Sequence, residues 1–99
     1  MTSPNPVPPL AKICKRCIVT GRVQGVGYRA ATQHQAHALN IAGYVKNLSD
    51  GSVEVVACGA EHDINEFCAW LWQGPRLAQV DDVQCDSVTE QGWRGFNTR

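Results

Sequence analysis

Gly21-Arg22-Val23-Gln24-Gly25-Val26-Gly27-Tyr28-Arg29 puts three glycines in seven residues directly before a segment with helical composition, and an arginine in that segment's first turn. No Ser, Thr, Asp or Asn stands at residues 25–28 to cap the helix, so its first backbone N–H groups have no local side-chain acceptor. Glycine lets a backbone curl around a bound anion, and the helix dipole favours negative charge at that end. Arg29 adds a planar, permanently charged fork suited to phosphate. Together these residues describe an anion cradle, best matched to a phosphoryl group; a tight strand-to-helix connection is the plainer alternative. Asn47 is the second candidate. Its amide can orient a water molecule but has no titratable proton, and before Ser49-Asp50-Gly51 it also fits ordinary turn chemistry.

The elements that must position these groups follow from local patterning. Ile13 to Thr20 is rich in β-branched residues and predicts a strand, and Gly21 to Gly27 a loop. Tyr28 to Asn40 carries four alanines and no breaker, which predicts a helix. Ala42 to Leu48 reads as a second strand and Ser49-Asp50-Gly51 as a hairpin turn. Ser52 to Cys58 alternates strictly, with Val53, Val55 and Ala57 on one face. Ile64, Phe67, Cys68 and Leu71 then recur at helical spacing, with Asp63 and Glu66 as an expected capping pair and Gly74-Pro75 as the stop. Val80 to Val88 reads as a polar fourth strand, and Phe96 to Arg99 as a short edge strand. The order β-α-β-β-α-β predicts an α+β, ferredoxin-like sandwich: a four-stranded antiparallel sheet in the order 4-1-3-2 with two helices on one face. That topology sets the end of the second strand, and so Asn47, beside the cradle.

Composition narrows the class. At 99 residues the chain is sized for one domain, read as a Pro-rich flexible tail over residues 1–12 followed by a domain over 13–99. Net charge is zero, which argues against a general nucleic-acid binder. The halves nevertheless differ: residues 1–49 hold six Lys or Arg and no carboxylate, whereas residues 50–99 hold three Arg and all nine carboxylates. An anion site built from the first half therefore has no acidic neighbour in sequence. No apolar run is long enough to span a membrane, and the N-terminal segment lacks the apolar stretch of a secretory signal, so a cytoplasmic location is expected.

Five cysteines without dense spacing fit a reducing compartment. Cys14 and Cys17, three apart on a strand, point to opposite faces and cannot chelate one ion, and no second CxxC follows. Cys17, Cys68 and Cys85 are expected to be packed thiols. Antiparallel pairing sets Cys14 beside Cys58 on the open face, with Arg16 and Glu54 as neighbours, and a disulfide fits there although reduced thiols suit the expected compartment. His34 and His37 are expected to be exposed helix residues, with no carboxylate in that half to complete a metal site. Trp70 and Trp72 flank the apolar stripe, at least one of them partly exposed, with no function assigned.

Both candidate segments resemble a known family. Residues 21–29 resemble the acylphosphatase signature G-x-V-Q-G-V-x-[FY]-R, and Gly43 to Val53 (GYVKNLSDGSV) resembles its second signature, G-[FWY]-[AV]-x-N-x-x-D-G-x-V, in the same order and spacing. The resemblance implies hydrolysis of an acyl phosphate, a small-molecule substrate, to a carboxylate and inorganic phosphate. Arg29 and the backbone amides of Gln24, Gly25, Val26, Gly27 and Tyr28 would hold the phosphoryl group, and Asn47 would place the attacking water. No metal, cofactor or covalent intermediate is implied, and inorganic phosphate would inhibit competitively. A monomer is expected. Three other readings compete: a non-catalytic anion-binding module, a domain working within a larger carbamoyl-phosphate-handling assembly, and a ferredoxin-like RNA-binding module. The lack of any further domain counts against the second. The third would need aromatics on the central strands, where this sequence has none.

Overall fold

In the computed structural model, which describes residues 12–99, the β-branched first segment forms β1 (Lys12–Arg22) and the alanine-rich one α1 (Tyr28–Ala38). They are followed by β2 (Ala42–Asn47), β3 (Val53–Ala60), α2 (Glu61–Gln73), β4 (Gln79–Ser87) and β5 (Phe96–Thr98). The tail expected over residues 1–12 lies outside the described residues except for Lys12, which opens β1.

The sheet order is β4-β1-β3-β2-β5. The first four strands pair antiparallel in the expected 4-1-3-2 order. β5 adds a parallel partner to β2, making the sheet five-stranded and mixed rather than four-stranded and antiparallel. Three residues with one neighbouring strand give little local signal, so this edge depends on its anchors. Phe96 is buried and meets Phe67 of α2 edge-on at 5.9 Å, and the Gln33 side chain of α1 donates to its carbonyl.

One face of the sheet carries the core. Val53, Val55 and Ala57 of β3 lie under Tyr28 and Ala36 of α1 and Ile64, Phe67 and Leu71 of α2, with Cys17 and Val19 of β1 and Val45 of β2 beside them. Burying a Val, Leu, Ile or Phe side chain contributes about 1.5–3 kcal/mol, so this shared face is the main stabilising layer. α1 ends in a Schellman-type turn: Asn40 takes a left-handed φ of 58°, and the Ile41 and Asn40 amides donate to the Ala36 and His37 carbonyls.

The helix starts correct one expectation. Asp63 does not cap α2, which begins two residues earlier at Glu61 with Ala60 in the cap position and no side-chain cap hydrogen bond. Glu61 and Asp63 instead lie within the first turn, where carboxylates complement the helix dipole.

The second sheet face is less open than alternation suggests. Cys14 and Cys58 are buried there, directly cross-strand, and joined by a disulfide. Arg16 donates to Glu54, which also accepts from the Tyr44 hydroxyl at 3.0 Å. Trp93, from the connection between β4 and β5, packs edge-on against Tyr44 at 5.2 Å. On the core face, Cys17 and Cys85 are not separate thiols as expected. The β1–β4 register sets them opposite each other, and they form a second disulfide.

Candidate functional site

The cradle loop is shaped by two glycines. Gly25 has φ 76° and Gly27 φ 81°, a left-handed conformation that L side chains rarely adopt. A Cβ at either position would meet nothing within 4 Å, so backbone conformation rather than crowding selects glycine here. Gly27 is the N-cap of α1; among the described residues its helix start has no side-chain cap and no acidic residue in the first turn. The helix thus presents its leading N–H groups toward the loop without a competing carboxylate.

Gly25, Gly27, Tyr28, Arg29 and Asn47 line one cleft of about 180 Å³ together with Val23 and Ala30. Arg29 and Asn47, 18 positions apart in sequence, are therefore brought to one site. Gln24 and Val26 belong to the same loop but do not line the cleft. Asn47 closes β2, and its Oδ1 is buried with no hydrogen-bond partner among the described residues. Buried polar atoms are nearly always satisfied, so an unpartnered acceptor on a residue that lines the cleft is an unusual feature of this site.

Two contacts that sequence reasoning did not anticipate hold these groups. The Gln24 side-chain amide donates to the carbonyls of Leu48 and Ser52, each at 2.8 Å, and so ties the cradle loop to the turn that follows Asn47. Asp50 organises that turn by accepting from the Ser52 amide at 2.9 Å and from the Ser52 hydroxyl. These two hydrogen bonds hold the Asp50 carboxyl below its usual pKa.

Arg29 is exposed, and its guanidinium donates to the Arg99 carbonyl at 2.7 Å. Arg99 is itself held: its amide donates to the Val45 carbonyl, and its guanidinium lies 4.0 Å from the centre of the Tyr44 ring and 5.1 Å from that of Trp93. The signal available in sequence was only an aromatic pair and a distant arginine.

The Tyr28 side chain has a different role from its backbone. It is buried, packs near Trp70, and donates from its hydroxyl to the Leu71 carbonyl at 2.7 Å. Leu71 lies in the last turn of α2, where helix carbonyls lack intrahelical partners. Burial pushes the phenol pKa well above its ordinary value. His34 and His37 are exposed on α1, and Trp72 is exposed on α2.

The cleft's lining includes no Ser, Cys, His, Asp or Glu, so it offers no side-chain nucleophile or strong general base. It is equipped for positioning and charge stabilisation. Among the described residues, no helix is long and apolar enough to cross a membrane.

A family model for acylphosphatase matches residues 15–98. The chain is 52% identical over 83 residues to the acylphosphatase of Vibrio parahaemolyticus serotype O3:K6, a match covering 84% of this chain and 92% of that one. Its fold superposes on an acylphosphatase from Coxiella burnetii with a TM-score of 0.86 and 39% identity, over 89% of this chain and 93% of the other. It also matches T. kodakarensis HypF with a TM-score of 0.79 and 37% identity, over 88% of this chain but only 12% of that much longer protein. Similarity of this extent to whole proteins of the same size settles the assignment: the chain belongs to the acylphosphatase family, hydrolases that act on acyl phosphates.

Proposed function

We propose that the cleft hydrolyses the carboxyl–phosphate bond by direct attack of a water held by Asn47 on a phosphoryl group bound by Arg29 and the backbone amides of residues 24–28. The observation that carries this reading is that Asn47, whose Oδ1 is buried and unpartnered, lines the same cleft as Arg29 and the cradle glycines. A water hydrogen-bonded to the Asn47 amide is oriented without being deprotonated by it. Its oxygen forms the new bond to phosphorus while the bond to the acyl oxygen breaks and a carboxylate leaves. A carboxylate is a good leaving group, so a strong base is not required, and a phosphoryl oxygen takes up the water's proton. The protein's contribution is then alignment and stabilisation of the charge on the phosphoryl oxygens, which Arg29 and the N–H groups supply. No metal is needed for any of these steps. Inorganic phosphate fits the same cradle and competes with substrate.

The test is hydrolysis of benzoyl phosphate by the purified chain in EDTA, beside Arg29→Ala and Asn47→Ala. Loss of one charge-stabilising donor typically costs about 10²–10³-fold in turnover, and a comparable fall is expected for both variants with folding intact. Phosphate should raise KM without changing kcat. Wild-type turnover no faster than the spontaneous rate, with phosphate still bound, would replace this reading with a non-catalytic anion-binding module.

A further inference from the structure

On the side of the molecule where β1, β4 and α2 meet, three sulfurs lie within 4.8 Å of one another: Cys17, Cys68 and Cys85. Cys17 and Cys85 are bonded across the β1–β4 pair, and Cys68, the remaining thiol of the chain, stands on α2 with its Sγ 4.0 Å from the Cys17 sulfur. The family's chemistry gives these residues no part, and none of them lines the cleft at Arg29.

We infer that the three sulfurs form a thiol–disulfide exchange site in which Cys68 displaces Cys85 from Cys17. In the step, the Cys68 thiolate attacks the Cys17 sulfur, a Cys17–Cys68 bond forms, the Cys17–Cys85 bond breaks, and Cys85 leaves as the thiolate. The proton lost by Cys68 is regained at Cys85, so the exchange needs no external oxidant or reductant. The Cys68 thiol is at van der Waals distance from the Cys17 sulfur but to one side of the Cys17–Cys85 bond, so its side chain rotates into line with that bond before exchange.

The surroundings make the two bonded forms comparable. Cys17 is fully buried on β1, an inner strand of the sheet, and stays bonded in both. Cys68 and Cys85 are each half-buried, one on the helix and one on the outer strand of the sheet, so whichever is free occupies a similar position relative to solvent. Burial raises the Cys68 thiol pKa while the Lys15 ammonium opposes it, so at neutral pH less of the attacking thiolate is present than at a free cysteine. Cys14–Cys58 lies on the opposite face of the sheet and takes no part. The site therefore offers small external thiols and disulfides either of two partners for one buried sulfur.

The experiment uses the full chain, oxidised with glutathione disulfide and freed of reagent, then labelled under native conditions with N-ethylmaleimide and mapped by mass spectrometry. Trypsin separates Cys14 from Cys17 but leaves Cys58 and Cys68 on one peptide, so cleavage after glutamate is added to part them at Glu61 and Glu66. The expected result is label on both Cys68 and Cys85, roughly a tenth or more on the minor site, with matching Cys17–Cys85 and Cys17–Cys68 linked peptides. Cys85→Ser should form Cys17–Cys68 under the same oxidation, and Cys68→Ser should leave no native thiol to label. Label confined to Cys68 at all incubation times, no Cys17–Cys68 bond in Cys85→Ser, or no bond at Cys17 in the oxidised wild type would each overturn the inference.

Discussion

Replacing Tyr28 by Phe separates the two jobs of one residue. The phenol oxygen is buried and donates at 2.7 Å to the Leu71 carbonyl, an acceptor that α2 cannot satisfy within its own last turn. Phe keeps the ring packed beneath α2 but leaves that carbonyl unpartnered and dry. Stranding a buried acceptor costs about 1–3 kcal/mol. In a domain of this size each kcal/mol corresponds to a fall in Tm of roughly 4–8 °C. The proposed mechanism, by contrast, uses only the backbone N–H of residue 28, which Phe retains. Thermal melts should therefore show the full loss, while kcat/KM for benzoyl phosphate, measured well below the new Tm, stays within about twofold of wild type. The pH dependence follows the same contact. Because the folded pKa is raised, the phenol's stabilising contribution is complete below its unfolded value of about 10 and is lost as pH rises beyond it. The stability gap between wild type and Tyr28→Phe should accordingly shrink in strongly alkaline buffer. An unchanged Tm together with a tenfold or greater fall in kcat/KM would refute the division of roles.

Two further outcomes can be checked with the same assays. Arg99→Ala removes the guanidinium seated on Tyr44 and near Trp93, which holds the carbonyl that accepts from Arg29. An exposed contact of this kind contributes about 0.5–1 kcal/mol, so stability should change little while kcat/KM falls several-fold through a loosened Arg29; an unaltered kcat/KM would remove Arg99 as a positioning residue. Asp50→Ala abolishes the turn's two hydrogen bonds to Ser52. Since the folded carboxyl pKa is lowered, its contribution is present above the unfolded value of about 3.9 and lost as pH falls through the folded one. Tm measured from neutral to acid pH should show the two chains converging only at the acid end.

Much of the scaffold was legible because its signals are local. Alternation at Val53, Val55 and Ala57, the Asp50-Gly51 turn and the alanine-rich run after Tyr28 each state their own geometry, and right-handed crossovers then leave one strand order. The glycine loop and Arg29 stand out in the sequence for a related reason: glycines before an uncapped helix and an arginine in its first turn are adjacent, whereas Asn47 comes beside them only through the strand order. What escaped depends on register between distant segments. β4 is polar along most of its length, so no hydrophobic pattern fixed its alignment, and the Cys17–Cys85 bond follows from that alignment. The Arg99 contact spans 70 positions, and the start of α2 is set by where β3 ends rather than by a capping side chain. Gln24 was visible only as part of a loop, because nothing local says that a side-chain amide will reach two carbonyls across a hairpin.

That amide has a consequence for the temperature dependence of turnover. By donating to Leu48 and Ser52, Gln24 joins the loop proposed to grip the phosphoryl group to the strand end that bears Asn47. In the proposed mechanism the gripping and water-placing groups then share one frame before substrate arrives, and little disorder remains to be removed on the way to the transition state. The barrier in the native chain should be largely enthalpic. Cutting the tie, as in Gln24→Ala, frees one half to wander relative to the other while leaving every group that touches substrate in place. An Eyring plot of such a chain keeps its slope and loses its intercept.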